Sequence, residues 1–148
     1  MIKLIAVGKI KESYFKDAIS EYQKRLSRYT KLEIIEVPDY STDNNKLLEA
    51  KEIKKHLSEK DHIIILDINA KMYDSLSFAE YIRNKEMQYS NIAFIIGGSN
   101  GLDDSIKELA NDSISFSKLT FPHQLFRVIF LEQLYRAYKI NNNESYHK

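Results

Sequence analysis

The chain has 148 residues and a formal charge of +1, from 22 basic and 21 acidic side chains. That length suits one domain with a sizeable core, and the even balance of charge excludes an overall field that draws in nucleic acid, so any RNA binding needs a local patch or one built between subunits. The absence of cysteine excludes disulfides, thiolate metal sites and cysteine nucleophiles; no apolar run approaches membrane-spanning length, and a cytoplasmic protein is expected.

Ile2 to Val7 reads as a first strand that ends at Gly8, and its apolar run is too short for the core of a signal peptide. Ser13 opens a helix in which Phe15, Ala18, Ile19, Tyr22 and Leu26 fall on one face. Lys16, Lys24, Arg25 and Arg28 lie on or near its polar side and read as a solvated face. Leu32 to Val37 is a second strand, stopped by Pro38. Lys46 to Glu59 reads as a helix with Leu47, Leu48, Ala50, Ile53 and Leu57 as its apolar set. His62 to Leu66 is a third strand, and a capping box at Ser77 and Glu80 predicts a helix over Phe78 to Met87.

Ile92 to Ile96 is a continuous apolar run, as expected of a strand buried on both faces. It stops at Gly97-Gly98-Ser99-Asn100-Gly101, where three of the protein's four glycines lie. A strand that ends in such a turn and leads into a helix brings backbone N–H groups close to a ligand, at the usual site position of an open α/β sheet. The competing reading is a tight turn with no ligand. Ser105 and Glu108 offer another capping box, and Ile114 to Phe116 is a short fifth strand. Strand and helix alternate throughout, which predicts an α/β sandwich with a mostly parallel sheet.

Pro122 starts a long helix that runs to Ile140, apolar almost all round. Such a helix is buried on two sides, and in a domain of this size the second side implies a homodimer. Asn141 to Lys148 is a polar tail, read on pattern alone as disordered.

No triad spacing and no metal-ligand spacing connects His56, His62, His123 and His147, so no metal is expected. His123, directly after Pro122, is either a base or a simple hydrogen-bonding group at the helix start. Arg127 stands in an apolar stretch and needs a partner, either an ion pair across subunits or an anion. Arg136 follows Glu132 by four residues, so an intrahelical pair accounts for it. The two arginines, nine residues apart, point to opposite faces of the helix.

Leu66-Asp67 after a strand, Ile96-Gly-Gly-Ser-Asn-Gly-Leu102, Ser115-Phe-Ser-Lys-Leu-Thr-Phe-Pro-His-Gln124, Arg127-Val128, Glu132-Gln-Leu-Tyr-Arg-Ala137 and the terminal Tyr146-His147-Lys148 together resemble the ribosomal RNA large-subunit methyltransferase H family of the SPOUT superfamily. The resemblance covers essentially the whole chain. Two departures are Ala70, where the family usually has glycine before Lys71, and a short loop after Pro38. The resemblance implies a deep trefoil knot at the C-terminal end. It implies S-adenosylmethionine as methyl donor, contacted by Leu66, Gly97, Phe116, Ser117, Lys118, Leu119, Thr120 and Phe121. The substrate it implies is N3 of pseudouridine 1915 in the 23S RNA of the assembled ribosome. His147 is then the preferred general base with Tyr146 as its orienting or stacking partner, and His123 shapes the knot or the dimer interface. Arg127, Arg136 and Lys148 are expected to contact RNA.

Overall fold

The apolar runs of the sequence become strands of one parallel sheet, because each must be covered on both faces. The computed structural model describes residues 1–148. The elements are β1 Ile2–Val7, α1 Ser13–Leu26, β2 Leu32–Val37, α2 Asn45–Lys55, β3 His62–Met72, α3 Ser75–Gln88, β4 Ile92–Ile96, α4 Asp104–Leu109, β5 Asp112–Ser115 and α5 His123–Asn141. The 5-stranded sheet has the order β2-β1-β4-β3-β5, and every pairing is parallel.

Alternation along the strands sorts the core into two layers. Leu4, Ala6, Ile64, Phe94 and Ile96 point to the face covered by α1, α3 and α5. Ile5, Val7, Ile63, Ile65 and Ile95 point to the opposite face, where Ala50 and Ile53 of α2 and Ile106 of α4 cover them. The chain is therefore an α/β sandwich, as its alternating pattern predicts.

Several boundaries differ from the sequence reading. The helix expected to reach Glu59 ends at Lys55, although Leu57 still packs against the core beyond it. β3 does not stop at Leu66 but continues to Met72, and its pairing with β5 shifts register between Leu66 and Lys71. Ala70 lies inside that extension and has no left-handed backbone, so alanine is unstrained where a glycine was expected. α3 starts at Ser75 because Asp74, not Ser77, is its N-cap: Asp74 Oδ1 accepts from Ser77 N at 2.7 Å, and Ser77 Oγ accepts from Asp74 N at 3.0 Å. β5 ends at Ser115, with Phe116 already in the following loop.

The apolarity of α5 has a source within the chain. The helix lies on the sheet with α1 and α3 on its flanks, and its Phe130, Leu134 and Tyr138 are buried there. Its half-buried apolar residues are Leu125, Phe126, Val128, Ile129 and Ile140; Phe126, Val128 and Ile140 pack on the chain's own core, and Leu125, Val128 and Ile129 share one helical face at i, i+3, i+4 spacing. The tail is packed rather than loose, with Tyr146 against the core formed by these helices.

Candidate active site

Where β3 parts from β4, the carboxyl ends of the strands open into a cavity of about 290 Å³. β3 pairs with β4 only from His62 to Ile65, while its pairing with β5 on the other side goes on to Met72, and the cavity lies where β3 and β4 part. One wall is Leu66, Asp67 and Ile68 of β3. A second is Ile96 with the glycine loop as far as Leu102. A third is the connection from β5 to α5, with Phe116, Ser117, Leu119, Thr120 and Phe121, and the first turn of α5 adds His123 and Phe126. Leu66, Gly97 and all the connection residues expected at a cofactor line it, except Lys118, which points to solvent.

The connection is held in place from both ends. Ser115 Oγ donates to Ile68 O at 3.2 Å or Ser117 O at 3.1 Å, which ties it to the extension of β3. Leu119 N donates to Ser117 Oγ at 3.0 Å. Phe121 stacks on Phe126 at 6.1 Å with the rings 2° from parallel. Leu119 is 70 % exposed at the rim of the cavity, an apolar side chain with nothing over it.

The glycine loop is a tight closure. Gly101 N donates to Gly98 O at 3.0 Å, and Gly101 takes φ +80, which favours glycine. A Cβ on Gly97 would stand 3.0 Å from both Gly101 C and Leu102 Cγ. The loop runs into α4, whose first turn is already occupied by a carboxylate. Asp103 accepts from Ser105 N at 3.0 Å and from Ser105 Oγ at 2.6 Å, and these bonds hold its carboxyl below the usual range. An anionic cap at this helix start repels a phosphate. No group of three or more His, Asp or Glu side chains is arranged to hold a metal ion.

Tyr146 and His147 stand outside the wall of this cavity. Tyr146 sits edge-on to Tyr135 at 5.0 Å, with the Arg136 guanidinium 4.8 Å over its ring. Arg136 Nη1 is 3.1 Å from His147 Nδ1. A guanidinium can only donate, so Nδ1 accepts and a neutral imidazole carries its proton on Nε2. Arg136 also makes the expected pair with Glu132, its Nε donating at 2.8 Å. The one histidine in the cavity wall is His123, which sequence reasoning assigned to shaping the knot or interface.

Arg127 needs correction. It is 2 % exposed and finds its partner inside its own chain: Nη1 donates to Glu36 at 2.5 Å and Nη2 to Gly8 O at 3.1 Å. Glu36 also accepts from Ile10 N at 2.9 Å, so the pair fastens the loop after β1 to α5. These bonds neutralise its charge within the chain although its buried Nε has no partner, and its burial removes it from the surface that RNA can touch. Sequence reasoning missed Asp67, Ile68, Lys107 and Phe126 in the cavity wall. Only Asp67 carried a signal, as the polar residue at the break in the apolar pattern of β3.

Residues 1–147 match the family model described as "Predicted SPOUT methyltransferase". The chain belongs to this family, and within it to the ribosomal RNA large subunit methyltransferase H proteins. It is 51 % identical over 156 positions to "Ribosomal RNA large subunit methyltransferase H" of Caldicellulosiruptor saccharolyticus, covering 100 % of both chains. Against the protein of that name from Clostridium novyi it is 51 % identical over 157 positions, covering 99 % of each. Among solved structures, a probable methylase family protein from Haemophilus influenzae Rd KW20 aligns with a TM-score of 0.59 at 14 % identity, over 99 % of this chain and 70 % of that one.

Proposed function

We propose that the protein transfers a methyl group from S-adenosylmethionine to N3 of pseudouridine 1915 in 23S ribosomal RNA, acting in the cytoplasm on the assembled ribosome. The observation that carries this is the cavity at the glycine loop, open and partly apolar, in a chain that matches the methyltransferase H relatives from end to end. S-adenosylmethionine, when bound, supplies a methyl group made electrophilic by its sulfonium. Leu66, Leu119 and Phe121 would pack on its adenine while backbone groups of the connection read the ring edge. What remains for the protein is to hold the base in line and to accept the N3 proton.

His147 is the proposed base and Tyr146 its positioning partner. Because both lie outside the wall of their own cavity, a second chain would have to bring its tail to it. The half-buried stripe Leu125, Val128 and Ile129 on α5 supports a homodimer through that helix. His147 can take a proton at Nδ1 only after it leaves Arg136, and RNA phosphates competing for Arg136 and Lys148 would release it. We read the passage of the β5–α5 connection and α5 as the trefoil knot of the family.

Labelled methyl transfer to ribosomes that lack the modification, followed by mass spectrometry of the 23S RNA, tests the reading. Methyl label at another base, or none, sinks it. Calorimetry separates it from a binding module that has lost the cofactor and from an ATP enzyme: S-adenosylmethionine should bind and ATP should not. Ile129→Glu should give monomers by light scattering, and a monomeric wild type would overturn the dimer. Phe130 and Tyr138 are unsuitable for this test, since both are core residues of their own chain.

A further inference from the structure

The polar side of α1 is more ordered than a solvated face requires. From Tyr22 to Leu32 the sequence carries Lys24, Arg25, Arg28 and Lys31 and no acidic residue. The Arg25 guanidinium lies 5.3 Å over the ring of Tyr22 and 5.6 Å over that of Tyr135. Arg28 lies 5.5 Å over Tyr29 although its side chain is 71 % exposed. Tyr29 in turn stacks on Tyr138 at 5.5 Å and donates to Glu144 at 2.8 Å, and Arg28 reaches the same carboxylate at 3.6 Å. Tyr135 also meets Tyr146, edge-on at 5.0 Å. One strip of alternating cations and rings therefore runs from α1 across α5 to the tail.

The helix dipole explains a cation or two in the last turn of α1. It does not explain Arg28 beyond the helix end, or guanidiniums seated on rings. Seated cations are already ordered and lose less freedom when they bind. The exposed pair of Arg25 with Glu21, at 2.8 Å, is of the kind that yields readily to a phosphate, and Lys24 makes no salt bridge, though its charge acts on the same Glu21. With a net charge of only +1, the chain has to attract a polyanion by a local concentration of charge, and this strip is one.

We infer that this strip is the surface that holds the ribosomal RNA backbone next to the target base, with Lys24, Arg25 and Arg28 taking phosphates and the rings between them fixing the arginines. The inference rests on the reading of the protein as a ribosomal RNA methyltransferase. It adds the surface by which this domain grips its substrate.

The test is equilibrium binding of wild type, Lys24→Ala, Arg28→Ala and Arg28→Lys to unmodified ribosomes and to naked 23S RNA over a range of salt. Binding of S-adenosylmethionine checks that each variant is folded. Each alanine variant should bind more weakly and lower the slope of log affinity against log salt by about one, the loss of one phosphate contact. Arg28→Lys should keep the slope. Alanine variants with wild-type slope overturn the inference. So does a loss of affinity with no change in slope, which means that Arg28 only props the tail. A changed slope on ribosomes but not on naked RNA also overturns it, since the partner is then a ribosomal protein. A wild type that methylates ribosomes while the slopes stay unchanged removes this inference alone; a wild type that methylates nothing removes the functional reading beneath it.

Discussion

The ring of Tyr146 stands edge-on against Tyr135, with centroids 5.0 Å apart and planes at 80°. The tail is thus anchored by its tyrosine while His147, next to it, stays exposed and reaches only Arg136. Anchor and reactive group separate in mutation. His147→Ala should cost about 10²–10⁴ in the rate of methyl transfer, the usual loss of a general base. Cofactor affinity should stay near wild type, because the proposed cofactor contacts are Leu66, Gly97 and the β5–α5 connection rather than His147. Tyr146→Ala should also destabilise the fold by about 1 kcal/mol, the scale of one aromatic pair. Single-turnover methylation of ribosomes across a range of pH checks the first claim. A wild-type rate for His147→Ala would hand the role of base to His123, the histidine already in the cavity wall.

Gly97→Ala should weaken S-adenosylmethionine binding by roughly tenfold or more, a cost near 1.4 kcal/mol. The added methyl meets the backbone of Gly101 at 3.0 Å, so the loop must open. Gly97→Val adds two branches to the same clash and should act through the loop as well as through the ligand's space. The sheet should survive, since β4 ends at Ile96. Circular dichroism and calorimetry together decide; a folded Gly97→Ala protein with wild-type affinity would show that the loop can shift without consequence.

Arg127 and Glu36 form a pair whose halves are unequal: the arginine is buried and the carboxylate side chain is 36 % exposed. Glu36→Gln keeps an amide oxygen that can still accept but removes the opposing charge, so the buried guanidinium is left unneutralised and the variant should destabilise by roughly 3 kcal/mol, the low end for a broken buried pair. The double variant Glu36→Gln with Arg127→Met should cost less than the single, because no charge is left stranded. Urea unfolding of Glu36→Gln, Arg127→Met and the double variant measures this, and additive losses would mean that the two residues are not coupled.

Glu49 is 3 % exposed beneath the glycine loop, with Oε1 placed 3.2 Å from where a Cβ on Gly98 would stand and Oε2 lacking a partner. Burial raises its carboxyl above the usual range, and the nearby Asp39 adds to the effect. The folded state then holds this proton more tightly than the unfolded chain. The contribution favours folding below the ordinary glutamate range and is lost as pH rises through the raised value. Glu49→Gln removes the charge, so it should be more stable than wild type at pH 8, by on the order of 1 kcal/mol. The gap should close towards pH 4. Thermal unfolding at the two pH values checks the sign; a gap that widens in acid contradicts it.

Local pattern in the sequence determined the parallel α/β sandwich, four of the five strand starts, the glycine loop at a strand end and the long final helix. These follow from periods of two and near four along one stretch of chain, which need no knowledge of distant residues. Asp67 to Met72 was illegible as strand because its residues pair only through a register shift with β5, more than forty positions on. The charge on Arg127 announced a partner but not which one: Glu36 lies 91 positions away, and only the packing of α5 over the loop after β1 brings them together. The same holds for the tail. On pattern alone Tyr146 and His147 read as part of a disordered tail, and Arg25 and Arg28 as a solvated face. Tertiary structure places them on one strip because Tyr135 and Tyr138 of α5, buried by the sheet, offer their rings to both. Periodicity tells a side chain which way to face, and only the folded chain decides what it meets there.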